Sequence, residues 1–154
     1  MSQNFDIPIQ MSAIVTTGNG GFDKLTHKIV KTPKINKDEV LVKVLAAGIN
    51  NTEINTRIGW YSSSVQSGTE TLHKNIEEGR SYKNAGWNGV TNFPLIQGTD
   101  CCGIVVKCID KKFNSLLGKR VIIRSCMRVE GFSSKQKVWM ASNFDGAFAE
   151  YVKV

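Results

Sequence analysis

The sequence predicts a mainly β fold, a small barrel or sandwich of short strands with one or more short helices. Short β-branched or alternating runs recur along the chain, each closed by a Gly or Lys/Asp turn. No stretch alternates strands with long helical periods, as βαβ units would. With 154 residues, 41% of them apolar and 21% charged, the chain fits one ordinary domain and has enough apolar content for a real core.

The elements follow in order. The run 12–17 (Ser-Ala-Ile-Val-Thr-Thr) is β-branched and ends at the turn cluster Gly18-Asn19-Gly20-Gly21. The run 25–31 alternates partly and stops before Thr32-Pro33. The strongest strand is 39–47, with Val40, Val42 and Val44 on one face. A short helix follows Gly48, because Asn50 is a good N-cap and Glu53 three residues on completes a capping-box pattern. Ile54 and Ile58 would face the core and Gly59 would end that helix. Residues 62–92 are rich in Ser, Gly, Asn and charge, and read as a long surface excursion with a short helix near 71–78 and Tyr82 and Trp87 as anchors. Strands are expected again at 103–109, 119–124 and 147–154. An irregular stretch, 125–144, holds Trp139 and clustered Phe132 and Phe144.

Composition narrows the function. No apolar run approaches the roughly 20 residues of a membrane span, and the N-terminus lacks a secretory pattern. A cytoplasmic protein without a membrane partner is the expectation. The formal charge of +7 comes from scattered Lys and Arg with no basic stripe interleaved with aromatics, which argues against nucleic acid as a partner. The four cysteines, Cys101, Cys102, Cys108 and Cys126, contain no C-x-x-C pair, and neither His27 nor His73 lies at a ligand-like spacing from them. They read as reduced thiols, with Cys101 and Cys102 on opposite faces of a strand. No G-x-G-x-x-G opening a helix, Walker loop or G-x-S-x-G elbow is present.

Four segments, in order, carry a family resemblance: Gly48-Ile49-Asn50-Asn51-Thr52-Glu53, the run from Pro94 to Val105, Gly118-Lys119-Arg120-Val121, and Asp145-Gly146-Ala147-Phe148-Ala149-Glu150-Tyr151-Val152. Together they resemble the N-terminal GroES-like catalytic domain of the medium-chain dehydrogenase/reductase superfamily. The resemblance implies a GroES-like, partly open β-barrel over 1–154. It also implies that the dinucleotide-binding domain begins after the last matched segment and is absent from this chain.

The zinc alcohol dehydrogenases of that family place a Cys ligand where this chain has Asn50, and a His ligand where it has Thr99. An amide and a hydroxyl are neutral, weak donors to zinc, so no catalytic zinc is expected. The resemblance then points to the zinc-independent quinone- and enone-reductase branch. These enzymes use NADPH or NADH to reduce a small-molecule quinone or conjugated carbonyl.

By the same resemblance, Asn50 is a candidate catalytic and nicotinamide-contacting residue as well as a helix cap. Thr52 matches a proton-relaying hydroxyl, or is a second cap. Glu53 is read as capping and dipole compensation. Arg57 would pair with a cofactor phosphate or with Glu53 four residues earlier. Tyr61 would donate its phenol to a carbonyl oxygen, or pack half-buried, and Trp60 and Trp87 would line a flat pocket or act as packing anchors. Asp100 is read as a buried structural acid. The alternatives are a standalone GroES-like interaction module, and a zinc enzyme with ligands relocated to Cys101, Cys102 or His73. A homo-oligomer is compatible with each reading.

Overall fold

The hairpin of β1 (Gln10–Thr16) and β2 (Leu25–Lys31) pairs antiparallel along its whole length, from Gln10 opposite Lys31 to Thr16 opposite Leu25. This computed structural model describes residues 5–78, 82, 86–129, 131 and 133–154. β1 alternates strictly, sending Met11, Ala13 and Val15 inward, while β2 is an exposed edge carrying Lys28 and Lys31. Charged edge strands of this kind resist unwanted pairing with other chains.

β3 (Val40–Gly48) is the centre of the molecule. It pairs with β5 (Asp100–Cys108) on one side and β9 (Tyr151–Lys153) on the other, and β6 (Arg120–Ile123) completes a four-stranded sheet. The β3–β5 register slips twice, between Leu41 and Val42 and between Val44 and Ala46. Such bulges bend a strand and help a sheet curl. Gly103 permits the close approach of the two strands, since a Cβ there would run into the Lys43 carbonyl and the Val42 side chain.

Both faces of β3 are buried at its start. Val40 and Val42 join Cys101, Val105, Met140 and Val152 in one apolar cluster. Leu41 instead joins Met11, Val15, Ile96 and Tyr151 in a second. The alternation expected for Val40, Val42 and Val44 holds, but the opposite face is core as well.

The expected strand over 147–154 is split. Only Tyr151–Lys153 pairs regularly, opposite Leu41 to Lys43. The residues before it stitch the barrel together. Ile14 N–H donates to the Phe148 carbonyl at 2.8 Å, Glu150 N–H to Ser12 at 3.1 Å, and Val44 N–H to Glu150 at 2.8 Å. Phe148 N–H donates to Gln97 at 2.8 Å, beside the short β4 (Leu95–Ile96), which pairs with β1. One irregular segment thus closes β1, β3 and β4 into a partly open GroES-like barrel.

The two helices lie together. α1 (Asn51–Ile58) ends at Gly59, whose φ of 76° is the left-handed geometry expected of a C-terminal cap. α2 (Thr69–Glu77) packs against α1 and buries Leu72 completely. The excursion is therefore less irregular than its composition suggests. Its far limb is pinned by Trp87, which meets Trp139 edge-on with ring centroids 4.3 Å apart. Asn88 adds a hydrogen bond to Asn143 at 3.1 Å. The expected irregular stretch 125–144 contains a hairpin, β7 (Cys126–Arg128) paired with β8 (Lys137–Trp139), which its weak periodicity concealed. Phe132 lies outside the described residues. Among them, no helix is long and apolar enough to cross a membrane.

Candidate functional site

The site forms where β3 hands over to α1 and the chain enters β5. Asn50 is the N-cap of α1, with extended backbone (φ −112°, ψ 161°). Glu53, in the first turn, returns a carboxylate oxygen to the Asn50 N–H at 2.8 Å. This is the expected capping geometry, and it places acidic charge at the positive end of the helix.

Glu53 does more than cap. Only 4% exposed, it uses its other oxygen, Oε1, to accept from the backbone N–H of Thr99 at 2.8 Å and from the Thr99 hydroxyl at 2.7 Å. Asn50 Nδ2 in turn donates to Thr99 Oγ1 at 3.3 Å. The Glu53 backbone carbonyl accepts from Gln97 Nε2 at 3.2 Å, and Gln97 Oε1 accepts from Thr16 Oγ1 at 2.8 Å. One polar chain thus runs from β1 through Gln97 and Glu53 to Thr99 and Asn50. Buried polar groups that satisfy one another in this way hold a single arrangement of backbone and side chains.

The backbone around Thr99 is fixed by glycine. Gly98 has φ 106°, and a Cβ there would come within 2.8 Å of the Phe148 amide nitrogen. The lack of a side chain lets 97–99 lie directly on 146–148, where Ala147 N–H donates to the Gly98 carbonyl at 2.9 Å. Asp145 completes the seam by accepting from the Ile96 N–H at 2.9 Å.

The remaining candidates distribute unevenly. Thr52 is half-buried in the first turn of α1, and its hydroxyl makes no hydrogen bond among the described residues, so it is not spent as a second cap. Tyr61 lies past the other end of α1, about 12 Å along the axis for eight helical residues. It stacks edge-on with Trp60 at 5.4 Å. Asn50 and Tyr61 therefore flank the helix rather than meet.

Arg57 does not pair with Glu53. Its guanidinium is buried, donates to the Gly20 carbonyl at 2.7 Å and lies 4.9 Å above the Phe22 ring. Burial pulls its pKa down, opposed by the charge of Asp23. The Glu53 carboxylate is already occupied by Asn50 and Thr99, which explains the absence of the intrahelical pair. Asp100 is also corrected: it is exposed and lies against Gly48, its partner across the β3–β5 ladder.

The cysteines are all free. Cys101 points into the core, where burial and then neighbouring Cys102 push its thiol up to about 11. Cys102 is half-buried on the opposite face. Adjacent strand residues diverge, so these two cannot converge on one ion. The His73 side chain lies outside the described residues. Among those residues, no three His, Cys, Asp or Glu side chains gather as metal ligands would.

Sequence reasoning placed Thr99 at a ligand position of the zinc enzymes but missed its bond to Glu53, and with it the roles of Gln97 and Thr16. The three depend on contacts across 46, 44 and 81 positions of chain, which no local pattern reports. Beside the family resemblance, the local signal was Gly98, a glycine placed just before a polar residue at the start of a strand.

Comparison with known proteins agrees with this architecture. Residues 36–154 match the alcohol dehydrogenase GroES-like domain. Crotonyl-CoA carboxylase/reductase of Cereibacter sphaeroides is 28% identical over 138 residues, which is 82% of this chain and 27% of that protein. Synaptic vesicle membrane protein VAT-1 of Tetronarce californica is 38% identical over 63 residues, 40% of this chain and 17% of that protein. A Sinorhizobium meliloti 1021 structure assigned to the alcohol dehydrogenases superposes with a TM-score of 0.72 at 30% identity, covering 96% of this chain and 38% of that one. A crotonyl-CoA carboxylase/reductase crystallised with NADP gives 0.69 at 22% identity, covering 99% of this chain and 37% of that one. The chain thus spans well under half the length of these relatives. It belongs to the alcohol dehydrogenase GroES-like domain family, the N-terminal domain of the medium-chain dehydrogenase/reductase oxidoreductases.

Proposed function

We propose that this chain is the substrate-side domain of a zinc-independent, NAD(P)H-dependent reductase acting on a quinone or conjugated carbonyl. The observation that carries the reading is the bonding of Asn50 to Thr99 and of Thr99 to Glu53. Those are the positions where the zinc enzymes of the family hold their metal. Here they offer an amide and a hydroxyl, and both are tied into a hydrogen-bond chain. Such a donor set does not fit a borderline-soft dication, and no step is assigned to zinc.

The nicotinamide supplies the hydride when bound. The residues of this chain then have three tasks. Asn50 presents an amide hydrogen to an acceptor oxygen, stabilising charge that builds there during reduction. Thr52, two positions on in the first turn of α1 and with an unspent hydroxyl, is the residue assigned to pass a proton. Tyr61 and Trp60, packed edge-on at the other end of α1, offer a phenol and a ring face to a substrate longer than a simple carbonyl. Arg57 enters this reading as the residue that fixes the 18–24 turn against α1, since its charge is spent there. The name of the Cereibacter relative, a reductase of a crotonyl thioester, supports the enone side of the proposal.

In this reading the residues that discriminate NADPH from NADH belong to the cofactor half of the cleft. A second reading, an interaction module without catalysis, draws on one observation. Ala46, Cys102 and Ile122 lie opposite one another across three strands. Ile122 is 86% exposed, and Leu45 and Ile49 are exposed nearby. In the first reading this apolar row faces the cofactor half; in the second it faces another protein. Expressing the natural gene product and assaying NADPH oxidation against enones and quinones separates them. Turnover supports the reductase, and its absence with stable binding of a partner supports the module.

A further inference from the structure

We infer that Glu53 and Thr99 are positioning residues that fix which end of the Asn50 amide faces a ligand, so that the site takes a hydrogen-bond acceptor there. The inference rests on the proposed role of Asn50 but concerns a different link, the direction of its amide.

Both Glu53 oxygens accept backbone N–H groups, from Asn50 at 2.8 Å and Thr99 at 2.8 Å. The carboxylate therefore stands as an acceptor on both sides. The Thr99 hydroxyl has one hydrogen and gives it to Glu53 Oε1 at 2.7 Å. Toward Asn50, Thr99 Oγ1 can then only accept. Asn50 must answer with its NH2 group, as it does at 3.3 Å. An amide nitrogen carries two hydrogens, and the second has no acceptor among the described residues. That hydrogen is the one available to a ligand, which selects a carbonyl or carboxamide oxygen over a hydroxyl or amine hydrogen. A threonine at the entry of β5 thus sets, through a single proton, the polarity of a residue that opens α1.

The test uses the 154-residue chain, labelled with nitrogen-15, and reads the Asn50 side-chain amide by NMR. In the wild type, one Asn50 amide hydrogen is expected to exchange about fivefold more slowly than those of exposed Asn36, as one hydrogen bond would make it. Thr99→Ser keeps that protection and Thr99→Val removes it, with backbone spectra reporting that both variants are folded. Glu53→Gln, whose amide can donate to Thr99, shifts both Asn50 hydrogens by freeing the hydroxyl to turn. Wild-type exchange at Asn50 as fast as at Asn36 overturns the inference, and that measurement needs no variant. A spectrum unchanged in Thr99→Val overturns it too. Titration with 2-cyclohexenone, which can only accept, and with cyclohexylammonium, which can only donate, is the last arm. A shift of the Asn50 amide by the ketone alone supports the assignment, and a shift by the ammonium contradicts it. Loss of NADPH-dependent turnover in the natural gene product would instead count against the reductase reading, leaving the amide measurements to stand.

Discussion

The Thr99 hydroxyl donates to Glu53 Oε1 at 2.7 Å, although 46 positions separate the two residues. That bond joins the first turn of α1 to the entry of β5 and makes a capping residue the hub of the site. Replacing Glu53 by Ala leaves the Asn50 N–H, the Thr99 N–H and the Thr99 hydroxyl without their acceptor. The expected cost is about 2–4 kcal/mol, as for other buried charged acceptors. Urea unfolding followed by circular dichroism measures it. A cost near that of an exposed helix cap, about 1 kcal/mol or less, would show that Glu53 only caps.

Gly98 should tolerate no side chain. Its φ of 106° and the 2.8 Å approach to the Phe148 amide leave no room for a Cβ. Gly98→Ala is expected to destabilise by about 2–3 kcal/mol and to loosen the 97–99 and 146–148 seam. Faster hydrogen exchange at Ala147 and Phe148 would be the local signature. Gly18, which faces open space with no positive φ, is the control and should accept Ala within about 0.5 kcal/mol.

The thiols are expected to differ in reactivity. Cys101 is buried and its thiol is pushed up to about 11, first by burial and then by Cys102. At mildly alkaline pH it should be the last cysteine alkylated by iodoacetamide, because the thiolate is the nucleophile. Peptide mass spectrometry over a time course gives the order. Early labelling of Cys101 would mean that the apolar cluster around Val42 and Val105 opens readily.

A modest acid dependence follows from Glu39. Burial pushes its carboxyl up, but Lys153 Nζ at 2.8 Å and the Asn36 N–H outweigh that and hold it below the ordinary value of 4.5. A depressed folded-state value stabilises the fold above 4.5, and the contribution is lost as pH falls through the lower folded value. Both side chains are partly exposed, which limits the pair to about 0.5–1 kcal/mol. Glu39→Gln should therefore be less stable than wild type at neutral pH and equal to it below that window. A difference that persists in acid would assign the effect to packing.

Much of the fold was legible because its signals are local. The β-branched runs gave β1, β2, β3, β5 and β6 to within a few residues, and Asn50, Glu53 and Gly59 bounded α1. What escaped depends on distant partners. Residues 147–154 read as one strand, yet the hydrogen bonds of 147–150 divide among β1, β3 and the 97–98 backbone. β7 and β8 are too short to show a period, and their pairing is anchored from outside by Trp87. Helical spacing puts Arg57 on one face with Glu53, four residues earlier. The turn at Gly20 and the ring of Phe22, brought in by the first hairpin, hold it instead.

The central claim, metal-free reduction through Asn50, is tested most directly by one assay of the natural gene product after exhaustive dialysis against a chelator. NADPH oxidation is followed with a panel of conjugated ketones and quinones, for wild type and Asn50→Ala. Turnover is expected to survive chelation and to fall about 100-fold in the variant, the scale of losing one transition-state donor. Activity abolished by the chelator and restored by zinc, or a variant as active as wild type, would contradict that claim.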